Sequence, residues 1–281
     1  MLSVVLAAFS AVIWGAGDFC GGKATQRASA LRVTVVAQLA GLPVVVLGLA
    51  LIPATSPRPS DIGWGALAGV AGFVGIVLLY RGLAAGAMAI FAPVTAVTAA
   101  LVPLGAGLVL DDPPGTLALI GVCCAIIAIG LMSVQVAASG RQAAVVTPRL
   151  LLLALAAGTM FGLFFTVLGR AGDDAGMWPV LGVRVGSITL GLLLVARQRV
   201  SLRLDRPVLR LTATAGVFDI TANALYLLAA QRGLLSVVAP IAALYPASTV
   251  LLALLIDRER LRPIQVAGLG LAATSLVLVA S

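Results

Sequence analysis

The sequence predicts an all-α integral membrane protein with ten transmembrane helices, arranged as two inverted five-helix repeats. Three observations support this prediction: an apolar composition, ten apolar segments of membrane-spanning length, and an internal repeat. Hydrophobic residues make up 61% of the 281 residues and charged residues only 10%, and the mean hydropathy is +1.16. Soluble domains carry about 25% charged residues. This composition therefore indicates a polytopic chain that lies in lipid.

The ten apolar segments follow one another with short links between them. About 20 apolar residues in a helix cross the roughly 30 Å of hydrocarbon, and a helix satisfies its own backbone hydrogen bonds there. Two prolines, Pro240 and Pro246, lie inside the ninth segment. The segments are 3–22, 31–52, 61–80, 87–110, 116–136, 149–169, 177–196, 210–230, 234–256 and 263–280.

An internal repeat relates residues 1–140 to residues 141–281, which we take as the two five-helix repeats of one transmembrane unit. The matches at an offset of 147 are Trp14-Gly15 with Phe161-Gly162, Gly69 with Gly216, Gly86 with Gly233, Pro93 with Pro240, Asp112 with Glu259 and Gly121 with Gly268. Because five spans end on the opposite side of the membrane, the second copy is predicted to be inverted. Inverted repeats are typical of secondary transporters, with substrate near the midplane. The alternative is a duplication kept only for packing.

The basic residues predict the orientation of the chain. The links after the odd-numbered segments hold 14 of the 18 lysines and arginines, and the other links hold only Arg58, Arg170 and Arg232. Since basic residues are enriched in cytoplasmic links, the count places both termini outside. The 14 are Lys23, Arg27, Arg32, Arg81, Arg141, Arg149, Arg197, Arg199, Arg203, Arg206, Arg210, Arg258, Arg260 and Arg262.

The end of the chain resembles EamA-type transporters of the drug/metabolite transporter superfamily. The residues that carry the resemblance are Leu244-Tyr245-Pro246, Glu259, Pro263, Gln265 and Gly268, with an earlier Trp14-Gly15 pair. The resemblance extends over nearly the whole chain and implies a membrane transporter. It also implies cytoplasmic termini, against the charge count, and it supports Arg184 as a functional residue.

The eighth and seventh segments hold the candidates for proton coupling and for recognition of charge. Asp219, Asn223 and Tyr226 are spaced by four and three residues, so they share one helix face. We expect Asp219 to couple transport to protons and Asn223 and Tyr226 to contact substrate. Arg184 either anchors a substrate carboxylate or pairs with an internal acid. A permanent Asp219–Arg184 pair that only locks two helices is the alternative.

Other polar or aromatic side chains in the apolar segments are further candidates, because such groups are costly in lipid. Asp18 is a second coupling candidate, or else a carboxylate that reaches the interface or pairs with Lys23. The remaining predicted substrate contacts are Trp14, Gln38, Thr95 and Tyr245. For Gln38 the alternative is a hydrogen bond to another helix, and for Tyr245 it is a place in the interfacial aromatic belt.

The sequence argues against several other classes of function. It contains no histidine, and apart from Asp61 at the first residue of the third span, the acids within the predicted spans are Asp18 and Asp219, so we expect that the chain is not an enzyme. No nucleotide-binding loop or metal-ligand cluster is present, so no cofactor is predicted. The basic residues favour topology and anionic lipid over nucleic acid.

We therefore expect a multi-pass transporter in the cell (plasma or inner) membrane that exports or exchanges a small metabolite, such as an amino acid, or a drug-like compound. Its expected partners are this substrate, the lipid bilayer and protons as coupling ion, and a homodimer is left open. A lipid-modifying membrane enzyme and a membrane assembly partner are the alternative functions.

Overall fold

The computed structural model describes residues 1–52, 54–84, 88–110, 114–133, 147–172, 174–256 and 263–280. Throughout these ranges the regular structure is helical. The helices are α1 Leu2–Thr25, α2 Ala30–Ala40, α3 Leu42–Leu51, α4 Pro59–Ala84, α5 Met88–Leu110, α6 Thr116–Ser133, α7 Pro148–Leu168, α8 Trp178–Gln198, α9 Arg206–Ala230, α10 Leu235–Ala242, α11 Tyr245–Ile256 and α12 Pro263–Ala280. The repeat matches Gly86, Asp112 and Glu259 and the 140/141 boundary lie outside the described residues.

Six helical stretches in the described part are long and apolar enough to cross a membrane. They are Leu2–Thr25, Ala30–Leu51, Pro59–Leu79, Pro148–Leu168, Trp178–Gln198 and Arg206–Ala230. Four shorter apolar stretches accompany them, namely Val94–Leu110, Thr116–Met132, Leu235–Ser248 and Pro263–Val279. The chain is therefore an all-helical multi-pass membrane protein, and the apolar segments predicted from sequence coincide with helices.

The second and ninth apolar segments are each divided into two helices, where the sequence suggested continuous ones. The second divides at Gly41, two residues before Pro43, and the ninth divides at Ala243 and Leu244, before Pro246. Proline has no N–H for the carbonyl four residues earlier, so the regular hydrogen-bond pattern stops there. At the break in the ninth segment, backbone hydrogen bonds join residues three positions apart and not four, as when Leu244 N donates to Ile241 O at 3.1 Å.

The helices pair across the two halves of the chain. Helices α1 and α9 run antiparallel, with Ser10 bonded to Ala222 O, and α4 and α7 run antiparallel, with Gly72 against Phe164. Helix α4 packs parallel to α8, and α2 packs parallel to α9. Helices α6 and α12 form a further antiparallel pair. These contacts surround a central region to which α1, α2, α4, α7, α8 and α9 all contribute.

Glycines bring two of these parallel pairs into close contact. A Cβ on Gly69 of α4 would lie 2.2 Å from Val183 O of α8. A Cβ on Gly216 of α9 would lie 2.0 Å from Ala37 O of α2. Membrane helices gain little from hydrophobic burial against each other, so such small residues allow the close packing that holds them together. Both pairs also carry polar residues of the candidate site.

Candidate functional site

A cavity of about 170 Å³ lies among these helices. It is lined by residues from the inner parts of α1, α4, α8 and α9, from the later parts of α2 and α7, and from the start of α11. Seven of the nine residues predicted from sequence line it, namely Trp14, Asp18, Gln38, Arg184, Asp219, Asn223 and Tyr245. The structure therefore brings together polar side chains that are distant in the sequence.

An ion pair between α8 and α9 forms the centre of the polar side of this cavity. Arg184 Nη2 lies 2.6 Å from Asp219 Oδ2. Trp14 Nε1 of α1 donates to Asp219 Oδ1 at 3.2 Å. The Arg184 side chain is 1% exposed and that of Asp219 is 36% exposed. Each carboxylate oxygen of Asp219 is thus engaged by a different helix, while the carboxylate still reaches the cavity.

Two amide side chains lie beside this ion pair. Asn223 Nδ2 donates to the backbone carbonyl of Asp219 at 2.8 Å, one turn earlier in α9. Gln38 Oε1 of α2 accepts from Ser187 Oγ of α8 at 3.2 Å. The hydrogen bond expected between Gln38 and another helix is therefore present, and Gln38 also lines the cavity.

Asp18 is the second carboxylate of the cavity. It is exposed by surface area, and it lines both this cavity and a smaller adjoining one, so its carboxylate faces internal space. It lines the same cavity as Asp219 and Tyr245, and it lies close enough to Asp219 for the two carboxylates to repel each other. Lys23 lies one turn further along α1, with its ammonium 4.6 Å from the centroid of the Phe19 ring.

Several buried polar atoms at the cavity make no hydrogen bond within the described part of the chain. They are Nε and Nη1 of Arg184 and Oδ1 of Asn223. Both residues line the cavity, and both are at least 98% buried. Buried polar groups in proteins are nearly always hydrogen-bonded, so these atoms are positions for a bound partner.

Aromatic and aliphatic side chains form the opposite side of the cavity. Helix α4 contributes Phe73 and Ile76, and α7 contributes Phe161, Phe164 and Phe165. Edge-to-face contacts connect this side to Trp14, whose ring centroid lies 5.3 Å from that of Phe165 and 6.0 Å from that of Phe164. We call the lining residues of α4 and α7 the aromatic wall, and those of α1, α2, α8 and α9 the polar wall.

The adjoining cavity has a volume of about 100 Å³ and reaches toward the link between α1 and α2. It shares Asp18, Gln38 and Asp219 with the main cavity and continues to Gly22 and Thr34, near the α1–α2 link. Arg27 lies in that link, and Lys23 and Arg32 lie in the adjacent turns of α1 and α2. Toward the other end of α1, the side chains of Ala7, Ser10 and Ala11 are buried.

Two residues predicted as substrate contacts do not line either cavity. Tyr226 is fully buried and donates its hydroxyl proton to Phe165 O at 2.6 Å. Thr95 is buried between α5 and α7, where its hydroxyl donates to Ala154 O at 3.2 Å. Both side chains connect helices to one another in this structure.

The aromatic wall is the part of the site that the sequence did not single out. Phe73, Phe164 and Phe165 are apolar residues in apolar helices, where nothing in the pattern separates a cavity-lining side chain from one that faces lipid. Phe161 was noted only as the repeat match of Trp14. Metal ligands are not clustered here, because the described residues contain no group of three or more Cys, His, Asp or Glu that could hold an ion.

A bundle of apolar helices around a central cavity with a buried ion pair defines a multi-pass membrane protein, and sequence comparison gives its family. The model of the EamA-like transporter family matches residues 1–134 and 149–281. The chain belongs to the EamA-like transporter family, a membrane transporter family, as the resemblance at its C-terminal end indicated.

Comparison with solved structures supports the fold. One crystal structure matches 98% of this chain and 96% of its own, with a TM-score of 0.74 and 14% sequence identity. At this identity the likeness shows a shared fold and does not indicate a substrate. No curated protein sequence matches the chain at a significant level.

Proposed function

We propose that the chain is a secondary active transporter of a small metabolite, such as an amino acid or an amine, or of a drug-like compound. The central cavity is its substrate site, and the halves 1–140 and 141–281 are inverted repeats that alternate in opening it to each side. The observation that carries this proposal is the cavity itself, because it lies between helices of both halves and holds a buried ion pair.

The pairing of helices supports the inverted repeat. Under the offset of 147, α1 corresponds to α7 and α9 corresponds to α4, and both α1/α9 and α4/α7 are antiparallel pairs. Gly17 of α1 faces Phe218 and Asp219 of α9, while Gly72 of α4 faces Phe164 of α7. Gly17 and Phe164 differ by 147, as do Gly72 and Asp219. The two helix pairs therefore make contact at corresponding positions. In the first pair the glycine is on α1, and in the second pair it is on α4, which corresponds to α9.

The close contacts of Gly69 and Gly216 also support the inverted repeat. Gly69 and Gly216 are matched by the offset, and each lies against a backbone carbonyl of a parallel helix in the other half. The contacted residues, Val183 and Ala37, correspond to within one position. A duplication with an in-plane two-fold axis predicts such paired contacts, and that arrangement is typical of alternating-access transporters.

The proposal assigns proton coupling to the two carboxylates of the cavity together. Asp219 is held by Arg184 and Trp14, whereas Asp18 faces the cavity beside Asp219 and Tyr245. A proton on either acid changes the charge of the site, and therefore changes which conformation of the two halves is favoured. Because Asp219 already has a cationic partner, Asp18 has the larger share in this scheme.

The adjoining cavity supports a proposal for the side to which this conformation opens. It extends toward the α1–α2 link, and three of the basic residues counted for the cytoplasmic side lie in or beside this link. With that orientation the protein lies in the cell membrane with both termini outside, and the present conformation faces the cytoplasm. A reporter active only in the periplasm should then work when fused after Ser281.

Counterflow in liposomes tests the transport function. Purified protein is reconstituted with unlabelled candidates inside, drawn from amino acids and small amines, and uptake of the labelled compound is followed. We expect exchange for at least one candidate, and accumulation when a pH gradient is imposed. Asp18→Asn and Asp219→Asn should retain exchange when the substrate is supplied at a saturating concentration, and should lose accumulation driven by the pH gradient. The control Asp205→Asn makes the same change in an exposed link and should behave as wild type.

Two results would contradict the proposal. Accumulation by both carboxylate variants at the wild-type level would remove the coupling scheme. Absence of counterflow for every candidate, together with chemical turnover of a lipid, would favour the membrane-enzyme alternative.

A further inference from the structure

We infer that the cavity selects a small organic monocation, in which a protonated amine is joined to an aromatic or other apolar body. The inference rests on the proposed function, since it names the substrate class of the same site. It starts from the charge of the lining. Among the described residues that line either cavity, the ionisable acids and bases are Asp18, Asp219 and Arg184, and with all three ionised they carry one net negative charge.

The ion pair leaves that negative charge on Asp18. Arg184 and Asp219 neutralise each other at 2.6 Å. The carboxylate of Asp18 faces the cavity, near enough to Asp219 for the two like charges to repel each other. An entering cation would relieve this repulsion, whereas an entering anion would add a third negative charge to a site with one positive group.

A buried acceptor atom matches the donors of an ammonium group. Asn223 is 2% exposed and lines the cavity, and its Oδ1 makes no hydrogen bond within the described residues. An amide oxygen accepts hydrogen bonds only, and an ammonium offers three N–H donors. Asp18 and Asn223 therefore supply both a charge and an acceptor for the same kind of group.

The free donors of Arg184 are the observation that favours a different ligand. Its Nε and Nη1 lack hydrogen bonds in the described part of the chain and suit a carboxylate. A carboxylate there would compete with Asp219 for the same guanidinium and would lie beside both acids. A zwitterion could use Arg184 and Asp18 together, so anions and zwitterions are the outcomes against which the inference is tested.

The aromatic wall and the cavity size define the apolar part of the ligand. Phe73, Phe161 and Phe164 offer ring faces and edges to an apolar body, and Trp14 lies between them and Asp219. Aromatic faces also attract cations within about 6 Å. A cavity of about 150 Å³ can hold benzene, so 170 Å³ fits one ring with a short amine chain.

Four probes that share a phenyl ring and a short chain separate charge from shape. They are phenethylamine as the cation, phenylalanine as the zwitterion, 3-phenylpropionate as the anion and 2-phenylethanol as the neutral form. Binding is measured by calorimetry on purified protein in detergent at neutral pH. We expect phenethylamine to bind at least about tenfold more tightly than each of the others. Tighter binding of the anion or the zwitterion, or no binding of the amine at millimolar concentration, would overturn the inference.

Variants of Asp18 locate the selectivity. Asp18→Asn should weaken phenethylamine binding by about tenfold or more and leave 2-phenylethanol unchanged. Asp18→Glu keeps the charge and should retain most of the preference, and Asp205→Asn is the matched control. An unchanged amine affinity in Asp18→Asn would contradict the inference even if the protein is fully folded.

The binding assay tests the cation selectivity, and the counterflow assay tests transport, so each proposal can be contradicted without the other. Amine binding without counterflow would preserve the cation selectivity and remove the proposed transport. Counterflow of an anion or a neutral compound, without amine binding, would preserve transport and remove the cation selectivity.

Discussion

One helix pair of the polar wall, α1 with α9, differs in chemistry from the pair that forms the aromatic wall, α4 with α7. Helices α1 and α9 cross as α4 and α7 do, and the offset of 147 relates one pair to the other. Where the polar wall has Asp219, the aromatic wall has Gly72, and where it has Asp18, the aromatic wall has Phe165. If the two pairs are repeats, as we propose, the same crossing of helices is kept while the residues that line the cavity differ, and the charged lining residues lie on the polar wall.

Different interactions hold the two walls in place. The polar wall is fixed by an ion pair and hydrogen bonds at defined distances, including Arg184–Asp219 at 2.6 Å and Ser187–Gln38 at 3.2 Å. The aromatic wall is fixed by ring contacts and by glycines that accept a neighbouring ring, as Gly75 accepts Phe161. We therefore expect the polar wall to be sensitive to charge, and the aromatic wall to be sensitive to volume.

The largest expected effect comes from breaking the ion pair on its buried side. Asp219→Leu leaves Arg184, 1% exposed, without its partner, and should lower stability by about 3–5 kcal/mol. Arg184→Met should cost less, because the Asp219 side chain is 36% exposed and can be hydrated from the cavity. The double variant should recover stability. Thermal unfolding in detergent measures all three, and an equal loss in both single variants would contradict this asymmetry.

The two parallel glycine contacts test whether the halves are packed equivalently. Gly69→Ala and Gly216→Ala each place a Cβ about 2 Å from a carbonyl oxygen, so the helices must separate. Each should lower stability by about 1–3 kcal/mol. Gly270→Ala is the control, since a Cβ there meets nothing within 4 Å, and it should be near neutral. A loss in only one half would count against the repeat.

The smallest expected effects concern the two predicted site residues that lie outside the cavities. Tyr226→Phe and Thr95→Val each remove one buried hydrogen bond and should lower stability by about 1 kcal/mol. Neither should change the affinity for a probe that binds the cavity. A weaker affinity at unchanged stability would show that the residue contacts substrate after all.

Most of the helical framework could be predicted from the sequence, because a membrane-spanning helix needs a long apolar segment and few other structures satisfy that requirement. The division of the second segment at Gly41 was missed. It depends on Pro43 and on close packing, with a Cβ at Gly41 lying 3.0 Å from Gly216 O, and packing is not visible in hydropathy.

The candidate site was predictable on its polar side only. Asp18, Gln38, Arg184 and Asp219 are conspicuous because polar groups in lipid are costly, but the same reasoning also selected Thr95 and Tyr226. The energetic cost of a polar group in lipid does not tell whether its side chain faces a cavity or forms a hydrogen bond with a neighbouring backbone carbonyl. On the aromatic wall, Phe73 and Phe164 look like any lipid-facing residue, and only the helix packing identifies them.

Alternating access of the cavity is the central claim of this account, and the accessibility of one cysteine tests it most directly. Ile76 lines both cavities and is therefore on the expected route of the substrate. Ile76→Cys is made in a chain whose Cys20, Cys123 and Cys124 are replaced by serine, and the protein is reconstituted in tight liposomes of known orientation. A small cationic thiol reagent that cannot cross the membrane is then added on one side at a time.

We predict that the cysteine reacts with reagent from either side while the liposomes stay impermeable to ions, because the cavity opens to one side and then to the other. Faster reaction is expected from the side of the α1–α2 link, toward which the adjoining cavity extends. Reaction from that side alone, under every condition of pH and added amine, would contradict alternating access.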